Sequence, residues 1–297
     1  MTAAITITGL VKRYGKVQAV RGIDLQVQLG EVFGFVGPNG AGKSTTIRCI
    51  LDLLRPTEGR ISVLGGDPRI DGAAIRERVA YVPGELRLPE RLSARQFLTS
   101  IGHMRRRFDS GRLAELADRF KLDLDRDIRN LSSGNRRKVS LLAAFLTDAD
   151  LLILDEPTAG LDPLMQHEFV TLVRERRAAG ATVFLSSHIL SEVQSVADRL
   201  AVLRSGRIVA AGTVNEVRGL ARQRVEIWFE TDAPEYLTRI PGLGDGVVEG
   251  RRFTAVLTGS ARPLIDTLAG QPIESILIQE PDLEEAFLNL YEEEPET

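Results

Sequence analysis

Several features that would identify a protein class are scarce in this chain of 297 residues. It has a single cysteine, Cys49, which excludes an internal disulfide framework and is typical of a reducing compartment. Its longest apolar stretches, such as 141–146, are far shorter than the ~18 residues that a membrane-spanning helix needs. No signal peptide is visible, because the first residues alternate in polarity and no apolar run follows a basic start. We therefore expect a chain that is soluble by itself, which leaves docking onto a membrane protein open.

An excess of charge of one sign is also missing. The formal net charge is −3, which gives no reason to expect a protein that binds polyanions through its overall charge. Arg105, Arg106 and Arg107 form a local basic run, but no aromatic residues for base stacking interleave with it. We interpret the run as a solvated or partner-facing patch and predict no nucleic-acid partner.

The residues that are present indicate a folded protein, with 43% hydrophobic and 27% charged residues. Short apolar runs at 31–36, 61–64, 79–82 and 151–154 read as strands, and helical patterns lie between them. Strands that alternate with helices predict an α/β domain with a largely parallel sheet. A hairpin is expected around Ser205 and Gly206.

The chain changes character near 215–222, so we predict a first domain at 1–217 and a small α/β domain at 218–297. Strand-like segments in the second part read RVEIWFE, RFTAVLT and ESILIQ, with helices expected near 261–269 and 283–291. The acidic end EEEPET is expected to be frayed.

The stretch GPNGAGKST matches the pattern of a phosphate-binding loop and lies between a predicted strand and a predicted helix. Glycines let successive backbone N–H groups converge on phosphate oxygens, and the helix N-terminus adds its positive dipole. Lys43 adds a full positive charge, and the Ser44 hydroxyl is a ligand type that Mg²⁺ prefers. The residues predicted to enclose the phosphates are Gly37, Pro38, Asn39, Gly40, Ala41, Gly42, Lys43, Ser44 and Thr45.

A phosphate loop requires a carboxylate for the metal, and the run LLILDEP supplies two acidic residues after a buried strand. Asp155 is placed to hold Mg²⁺ through water, and Glu156 is placed to polarise an attacking water molecule. Such a pair suffices for phosphoryl transfer, because that reaction depends mainly on positioning and charge neutralisation. Alone, an acidic pair at a strand end indicates only a solvated cap.

Further motifs follow in a fixed order. LSSGN at 131–135 is by itself only an N-cap signal, but it precedes Asp155 and resembles a variant of the ABC-transporter signature L-S-G-G-Q. AGLDP at 159–163 resembles the D-loop of that family, and His188 resembles its switch histidine. Tyr14 resembles its adenine-stacking aromatic residue. The resemblance to ABC ATP-binding subunits covers residues 3 to about 215.

This resemblance implies a P-loop ATPase domain with an antiparallel N-terminal β part and a helical subdomain at about 88–147. It implies that Tyr14 stacks on adenine, that Glu156 is the general base and that His188 contacts the γ-phosphate. It further implies two ATP molecules with Mg²⁺ between two subunits. In that dimer, the resemblance implies that Ser132 and Gly134 contact the nucleotide bound by the opposite subunit. It implies that Asp162 links the two nucleotide sites.

Further sequence segments, including QEPDLEEAFLNLY near the end, resemble those of the ATP-binding subunits of bacterial multidrug or antibiotic exporters. That resemblance implies a separate membrane permease, a peripheral location on the cytoplasmic face of the membrane, and a drug-like or other small amphipathic cargo. The alternatives are ABC ATPases of DNA repair, ribosome-associated proteins with two cassettes, and a soluble ABC-type regulator not engaged in transport. The segment from Lys43 to Leu131 is too short for the coiled coil of the first, and only one cassette is present.

The turn in AYVPGE departs from the family pattern. The family carries a glutamine there that helps to bind Mg²⁺ and senses the permease, whereas this chain has Gly84. We expect Mg²⁺ to be held by Ser44, phosphates and water, and the turn to be the joint with the membrane partner. Glu85 is expected to be a solvated loop carboxylate.

Overall fold

The computed structural model describes residues 3–105, 109–218, 223–258 and 260–279. Arg106, Arg107, the helix expected near 283–291 and the acidic end all lie outside the described residues. The chain divides into two compact units, Met1–Val214 and Asn215–Thr297, and the sequence had suggested a boundary at residue 217.

The first unit alternates strands and helices along most of its length. Its strands are β1 (Ala3–Tyr14), β2 (Val17–Gln28), β3 (Val32–Val36), β4 (Glu58–Val63), β5 (Val79–Val82), β6 (Leu151–Asp155), β7 (Thr182–Ser187), β8 (Arg199–Arg204) and β9 (Arg207–Thr213). Its helices are α1 (Lys43–Ile50), α2 (Gly72–Arg78), α3 (Ala94–Met104), α4 (Ser110–Arg119), α5 (Ser133–Phe145), α6 (Pro163–Ala178) and α7 (Leu190–Gln194), and α8 (Val214–Arg218) crosses the division.

A six-stranded sheet in the order β5-β6-β7-β3-β8-β9 forms the centre of this unit. All neighbours are parallel except β9, which pairs with β8 in the hairpin around Ser205 and Gly206. Every residue of β3, β6 and β7 is buried, as expected for parallel strands covered on both faces. The predicted largely parallel α/β sheet is thereby confirmed.

The antiparallel N-terminal part is a three-stranded sheet in the order β2-β1-β4. Alternating residues of β2, namely Ile23, Leu25 and Val27, are buried in the main core together with Ile47 of α1. The sheet therefore packs its apolar face over the helix that follows the predicted phosphate loop.

The helical subdomain lies between β5 and β6 and contains α3, α4 and α5. Asp109 caps α4 by accepting hydrogen bonds from the N–H groups of Gly111 and Arg112. Ser93 begins α3 with a reciprocal capping box to Gln96. None of the helices in the part of the chain that the structure describes is long and apolar enough to cross a membrane.

The second unit contains β10 (Gln223–Phe229), a 3₁₀ turn (Glu235–Arg239), β11 (Leu243–Glu249), β12 (Arg252–Leu257), α9 (Arg262–Leu268) and β13 (Ile273–Gln279). These strands form an antiparallel sheet in the order β11-β12-β10-β13, with Phe229 and Phe253 in its core. The sequence indicated three of the strands and missed β11, because Gly244 and Gly246 dilute its alternating pattern.

Candidate active site

The predicted site residues lie at the carboxyl ends of neighbouring parallel strands. The strands β5, β6, β7 and β3 are adjacent, and each is followed by a segment that the sequence singled out. Gly84 follows β5, Asp155 and Glu156 end β6, His188 follows β7 and Gly37 follows β3. Ligand sites of open α/β sheets lie at this edge.

Gly37 and Gly42 of the phosphate loop occupy places where a side chain would not fit. A Cβ atom on Gly37 would lie 2.3 Å from the carbonyl oxygen of Leu203, and one on Gly42 would lie 2.6 Å from that of Ala19. Gly40 and Gly42 have φ values of 83° and 108°, in the left-handed region. Gly42 is also the N-cap of α1 and has no side chain to cap it, so the first-turn N–H groups are suited to binding an anion.

Lys43 connects this loop to the end of β6. Its Nζ donates to the carbonyl oxygens of Gly37 at 2.6 Å and Pro38 at 3.2 Å, and it lies 3.1 Å from Oε1 of Glu156. The lysine is only 5% exposed. Its ammonium group therefore has a fixed position between the loop backbone and the carboxylate, where charge–charge attraction is weakly screened.

Glu156 is held in an uncommon backbone conformation, with φ at 48°. The Nδ1–H of His188 donates to Glu156 Oε2 at 2.6 Å, since an ionised carboxylate can only accept. Oε1 is buried and has the ion-pair distance to Lys43 without hydrogen-bond geometry, so it keeps acceptor capacity. One carboxylate thus contacts a cation and an imidazole, and the acceptor capacity of its buried Oε1 is not used by any hydrogen bond of the described residues.

Asp155 is 1% exposed and accepts a hydrogen bond of 2.6 Å from the Ser186 hydroxyl at Oδ1. Ser44 lies half-buried in the first turn of α1. One hydroxyl and one carboxylate suit Mg²⁺, which keeps water ligands and binds through few protein groups and substrate phosphates. Among the described residues, no cluster of three or more His, Cys, Asp or Glu side chains could hold a metal ion.

Gly84 lies directly against Asp155. A Cβ atom at this position would be 3.2 Å from Oδ2 of Asp155, closer than most real Cβ contacts. The side chain of Glu85 is exposed, as expected for a loop carboxylate. The turn therefore contacts the predicted metal ligand through its backbone.

The signature and D-loop segments contact each other within one chain. A Cβ on Gly134 would lie 2.7 Å from the carbonyl oxygen of Gly160, so only glycine fits without displacement. Ser132 is exposed and caps α5 by accepting from the Asn135 N–H at 3.3 Å. Asp162 is also exposed and caps α6 by accepting from the Met165 N–H.

The structure brings together some predicted residues and leaves others outside the group. Hydrogen bonds and ion pairs of the described residues join Lys43, Glu156 and His188, whereas Tyr14, Ser132 and Asp162 are not joined to them. Tyr14 is at the end of β1 in the antiparallel sheet, with 45% of its surface exposed and the Lys12 ammonium 5.2 Å from its ring centroid.

Three further side chains contact the predicted site residues or the segments that carry them, and no sequence motif indicated them. Oε2 of Glu192 accepts hydrogen bonds from Thr158 at 2.7 Å and Ser187 at 3.0 Å, which ties the segment after Glu156 to the segment before His188. The others are Ser186, which contacts Asp155, and Arg137 in α5. The available signal was weak: Glu192 lies one helical turn after His188, and Ser186 is the penultimate residue of the strand before it.

Comparisons with known proteins agree with this geometry. Residues 20–159 match the family described as ABC transporter. Daunorubicin resistance ATP-binding protein DrrA3 of Streptomyces coeruleorubidus is 37% identical over 97% of this chain and 95% of that protein. Nod factor export ATP-binding protein I of Ralstonia nicotianae is 31% identical over 97% of this chain and 94% of that protein. A solved structure of an ATP binding subunit of an ABC transporter has a TM-score of 0.67 at 32% identity, covering 73% of this chain and 92% of that one.

The match to the daunorubicin resistance protein spans nearly the whole length of both chains. A phosphate loop, a paired carboxylate segment and a histidine lie at one sheet edge, as an ATP-hydrolysing cassette requires. The chain belongs to the ATP-binding subunits of ABC transporters, which are ATPases coupled to transport.

Proposed function

We propose that this chain binds ATP at the phosphate loop and hydrolyses it with Glu156 as general base and His188 as the residue that orients it. The observation that carries the proposal is the continuous group in which one Glu156 oxygen faces Lys43 at 3.1 Å and the other accepts from His188 at 2.6 Å. A fixed carboxylate beside a phosphate loop is what in-line attack by water requires.

The residues divide the reaction between them. Loop N–H groups and Lys43 bind phosphate oxygens, while Ser44 and Asp155 would hold Mg²⁺, which supplies charge neutralisation when bound. Glu156 accepts a proton from the water molecule while the water oxygen attacks the terminal phosphorus of ATP and ADP departs. His188 keeps the carboxylate in place, and Tyr14, with its exposed ring, would stack on adenine.

We further infer that two copies assemble around two ATP molecules. Ser132 is exposed at the N-terminus of the 13-residue helix α5, where N–H groups and the helix dipole favour an anion. Gly134 contacts Gly160, so the signature and D-loop form one surface with Asp162 at its edge. In this arrangement Ser132 and Gly134 reach the nucleotide of the opposite copy, and Asp162 lies between the two sites.

The assembled ATPase would drive a separate membrane permease from the cytoplasmic face. A groove of about 530 Å³ lies beside the Pro83–Gly84 turn and has apolar walls that include Phe97, Ile101 and Met104. Met104 is 70% exposed, so a helix of a permease would cover apolar surface there. The two relatives described above are named for daunorubicin resistance and Nod factor export, which supports export of a small amphipathic compound.

Hydrolysis is tested by assaying the full chain with Mg²⁺ and ATP. Glu156→Gln should retain ATP binding, lose hydrolysis by at least about a hundredfold and accumulate as an ATP-bound dimer in size-exclusion chromatography. Lys43→Ala should weaken binding of a fluorescent ATP analogue at least about tenfold, whereas exposed Lys121→Ala should not. Unchanged hydrolysis in Glu156→Gln would show that another residue is the base.

Coupling to a permease is tested by expressing the chain with the product of an adjacent reading frame that encodes several membrane-spanning helices. Met104→Glu should release the chain from membranes, while Leu53→Glu, an exposed apolar position outside the groove, should not. Drug-stimulated hydrolysis in the reconstituted complex supports export. An active ATPase that never binds the membrane protein supports the alternative, a soluble ABC-type regulator.

The role of the second unit is tested by deleting 218–297. It has its own hydrophobic core around Phe229 and Phe253, so we infer that it folds separately and either contacts its twin, regulates turnover or stabilises the chain. Changed self-association of the deletion variant supports a contact between the two second units of a dimer, and changed ATP turnover supports a regulatory role. Loss of thermal stability alone supports the third.

A further inference from the structure

The side chain of Arg137 spans two parts of the first unit. It belongs to α5, the helix that begins after Ser132, and it reaches the turn that follows β5. Its Nη1–H donates to the carbonyl oxygen of Pro83 at 2.7 Å, and its Nη2–H donates to that of Gly84 at 2.7 Å. The arginine is 6% exposed and both charge-assisted bonds are part-buried, so water competes weakly for them.

The turn that Arg137 binds is the one that contacts Asp155. Gly84 presents its backbone to that carboxylate, and a Cβ atom there would lie 3.2 Å from Oδ2, which is a tight contact. Any displacement of the turn would therefore change the packing around Asp155. The contacts run from α5 through the guanidinium group and two carbonyl groups to the predicted Mg²⁺ ligand.

Charge favours the same arrangement. Burial lowers the pKa of Arg137, and the nearby Asp155 and Glu156 carboxylates oppose that effect by favouring the charged form. The guanidinium therefore faces acceptors on the turn and negative charge at the end of β6. An apolar side chain would leave the two part-buried carbonyl groups without these donors.

The other end of β5 is held in a similar way. Arg105, at the end of α3, donates through Nη1 to the carbonyl oxygens of Arg76 and Glu77 and through Nη2 to that of Val79. The strand β5 lies at one edge of the described sheet, so no further strand of the described residues supports it on that side. Arginines from the helical subdomain thus bind both ends of this edge strand.

We propose that Arg137 is a positioning residue that holds the Pro83–Gly84 turn against Asp155, where position 84 itself offers no side chain. This inference rests on the proposed function, because the carboxylate that Arg137 would help to position is Asp155, the proposed Mg²⁺ ligand. It links the helix carrying Ser132 to that carboxylate within one chain.

The test compares Arg137→Met and Arg137→Lys with Arg136→Met. Arg136 is a matched control, since its Nε and Nη2 donate to the carbonyl oxygens of Ile128 and Arg129 inside the helical subdomain. Hydrogen–deuterium exchange of the full chain without nucleotide reports on the peptide covering 82–88. Arg137→Met should speed its exchange about fivefold or more, whereas Arg136→Met should speed exchange only around 128–131.

Enzyme kinetics give the second measurement. In Arg137→Met the half-saturating Mg²⁺ concentration for ATP hydrolysis should rise about fivefold or more, with the KM for ATP at saturating Mg²⁺ within about twofold. In Arg137→Lys one ammonium group replaces the two-pronged guanidinium group, so its half-saturating Mg²⁺ concentration should lie between those of wild type and Arg137→Met. It also serves as the test variant if Arg137→Met fails to fold.

Two results would overturn the proposal. One is wild-type exchange at 82–88 together with wild-type Mg²⁺ dependence in the Arg137 variants. The other is an equal effect of Arg136→Met and Arg137→Met on both measurements, which would indicate general loosening of α5. An unsubstituted chain that hydrolyses no ATP would contradict the proposed function instead, and the exchange measurement would then decide the positioning role by itself.

Discussion

The Nδ1 atom of His188 lies 2.6 Å from Oε2 of Glu156 and joins the ends of two adjacent strands, β7 and β6. Its side chain is 45% exposed, whereas that of Glu156 is 18% exposed. The imidazole is therefore the more exposed partner of the pair, and Nδ1 is the ring atom that contacts the carboxylate. This contact makes the histidine an orienting partner of the proposed base.

Replacing His188 tests that role directly. His188→Ala should lower kcat for ATP hydrolysis by about a hundredfold, because Glu156 loses the donor that fixes one of its oxygens. Binding of a fluorescent ATP analogue should change less than about fivefold. His167→Ala is the control, since His167 is exposed on α6, and it should leave kcat and nucleotide binding unchanged. Equal activity in His188→Ala and wild type would contradict the assignment.

Glu192 offers a second test, because no motif predicted it. Glu192→Ala leaves the hydroxyl groups of Thr158 and Ser187 without their acceptor, at a cost of about 1–3 kcal/mol in the free energy of unfolding. We expect kcat to fall about tenfold as the segments around Glu156 and His188 loosen.

The conservative variant and a control separate position from charge. Glu192→Gln keeps an oxygen that can accept from both hydroxyl groups and removes the charge of a carboxylate whose Oε1 is buried without a hydrogen-bond partner. It should retain most activity, and the exposed Glu90→Ala should retain all of it. The idea fails if Glu192→Gln and Glu192→Ala are equally impaired.

Gly84 stands where the family pattern has a glutamine, and the structure predicts that a side chain there is harmful. Gly84→Ala places Cβ 3.2 Å from Oδ2 of Asp155, so the turn or the carboxylate must shift by a few tenths of an ångström. We expect a higher Mg²⁺ requirement and about 1 kcal/mol lower stability. Gly84→Gln should be worse than Gly84→Ala.

The control for this series is Gly244→Ala, whose added Cβ would meet no atom within 4 Å. Denaturant titration and Mg²⁺-dependent hydrolysis measure the two effects. A Gly84→Gln variant with wild-type stability and hydrolysis would mean that the position is neutral.

Cys49 predicts a dependence of stability on pH. Burial raises the pKa of its thiol from the ordinary value of 9.0 to about 11. The native state therefore keeps the proton after the unfolded chain has lost it, so stability is full below pH 9 and falls as pH rises toward 11. At pH 10.5 the loss amounts to about 2 kcal/mol relative to pH 8.

The matched variant is Cys49→Ala, which lacks the titrating group. Urea unfolding of the first unit at pH 8 and pH 10.5 should show a decline in wild type that exceeds the decline in Cys49→Ala by about that amount. Identical declines in the two proteins would mean that the native thiol ionises freely. Because the residue is 2% exposed, slow alkylation of the folded chain is expected as well.

The amino-acid sequence alone specified the parts of the site that are continuous in the chain. The run Gly37–Thr45 predicted the phosphate loop, since close backbone approach requires glycine and helix initiation places N–H groups beside Lys43. The apolar residues before Asp155 predicted a buried strand with acidic residues at its end. Each of these inferences depends only on neighbours in sequence, where spacing fixes geometry.

Contacts between distant segments were decided by the tertiary structure. The strand order β5-β6-β7-β3 places Gly84 against Asp155 and His188 against Glu156, and no local pattern encodes that order. Arg137 reads in sequence as one of several helix arginines, and its partners Pro83 and Gly84 belong to another segment. Periodicity states which face of an element is buried, while sheet order and packing determine which residues of other elements meet it. For this protein, therefore, the sequence determined the phosphate chemistry, and the packing of helices on the sheet determined how the site is held together.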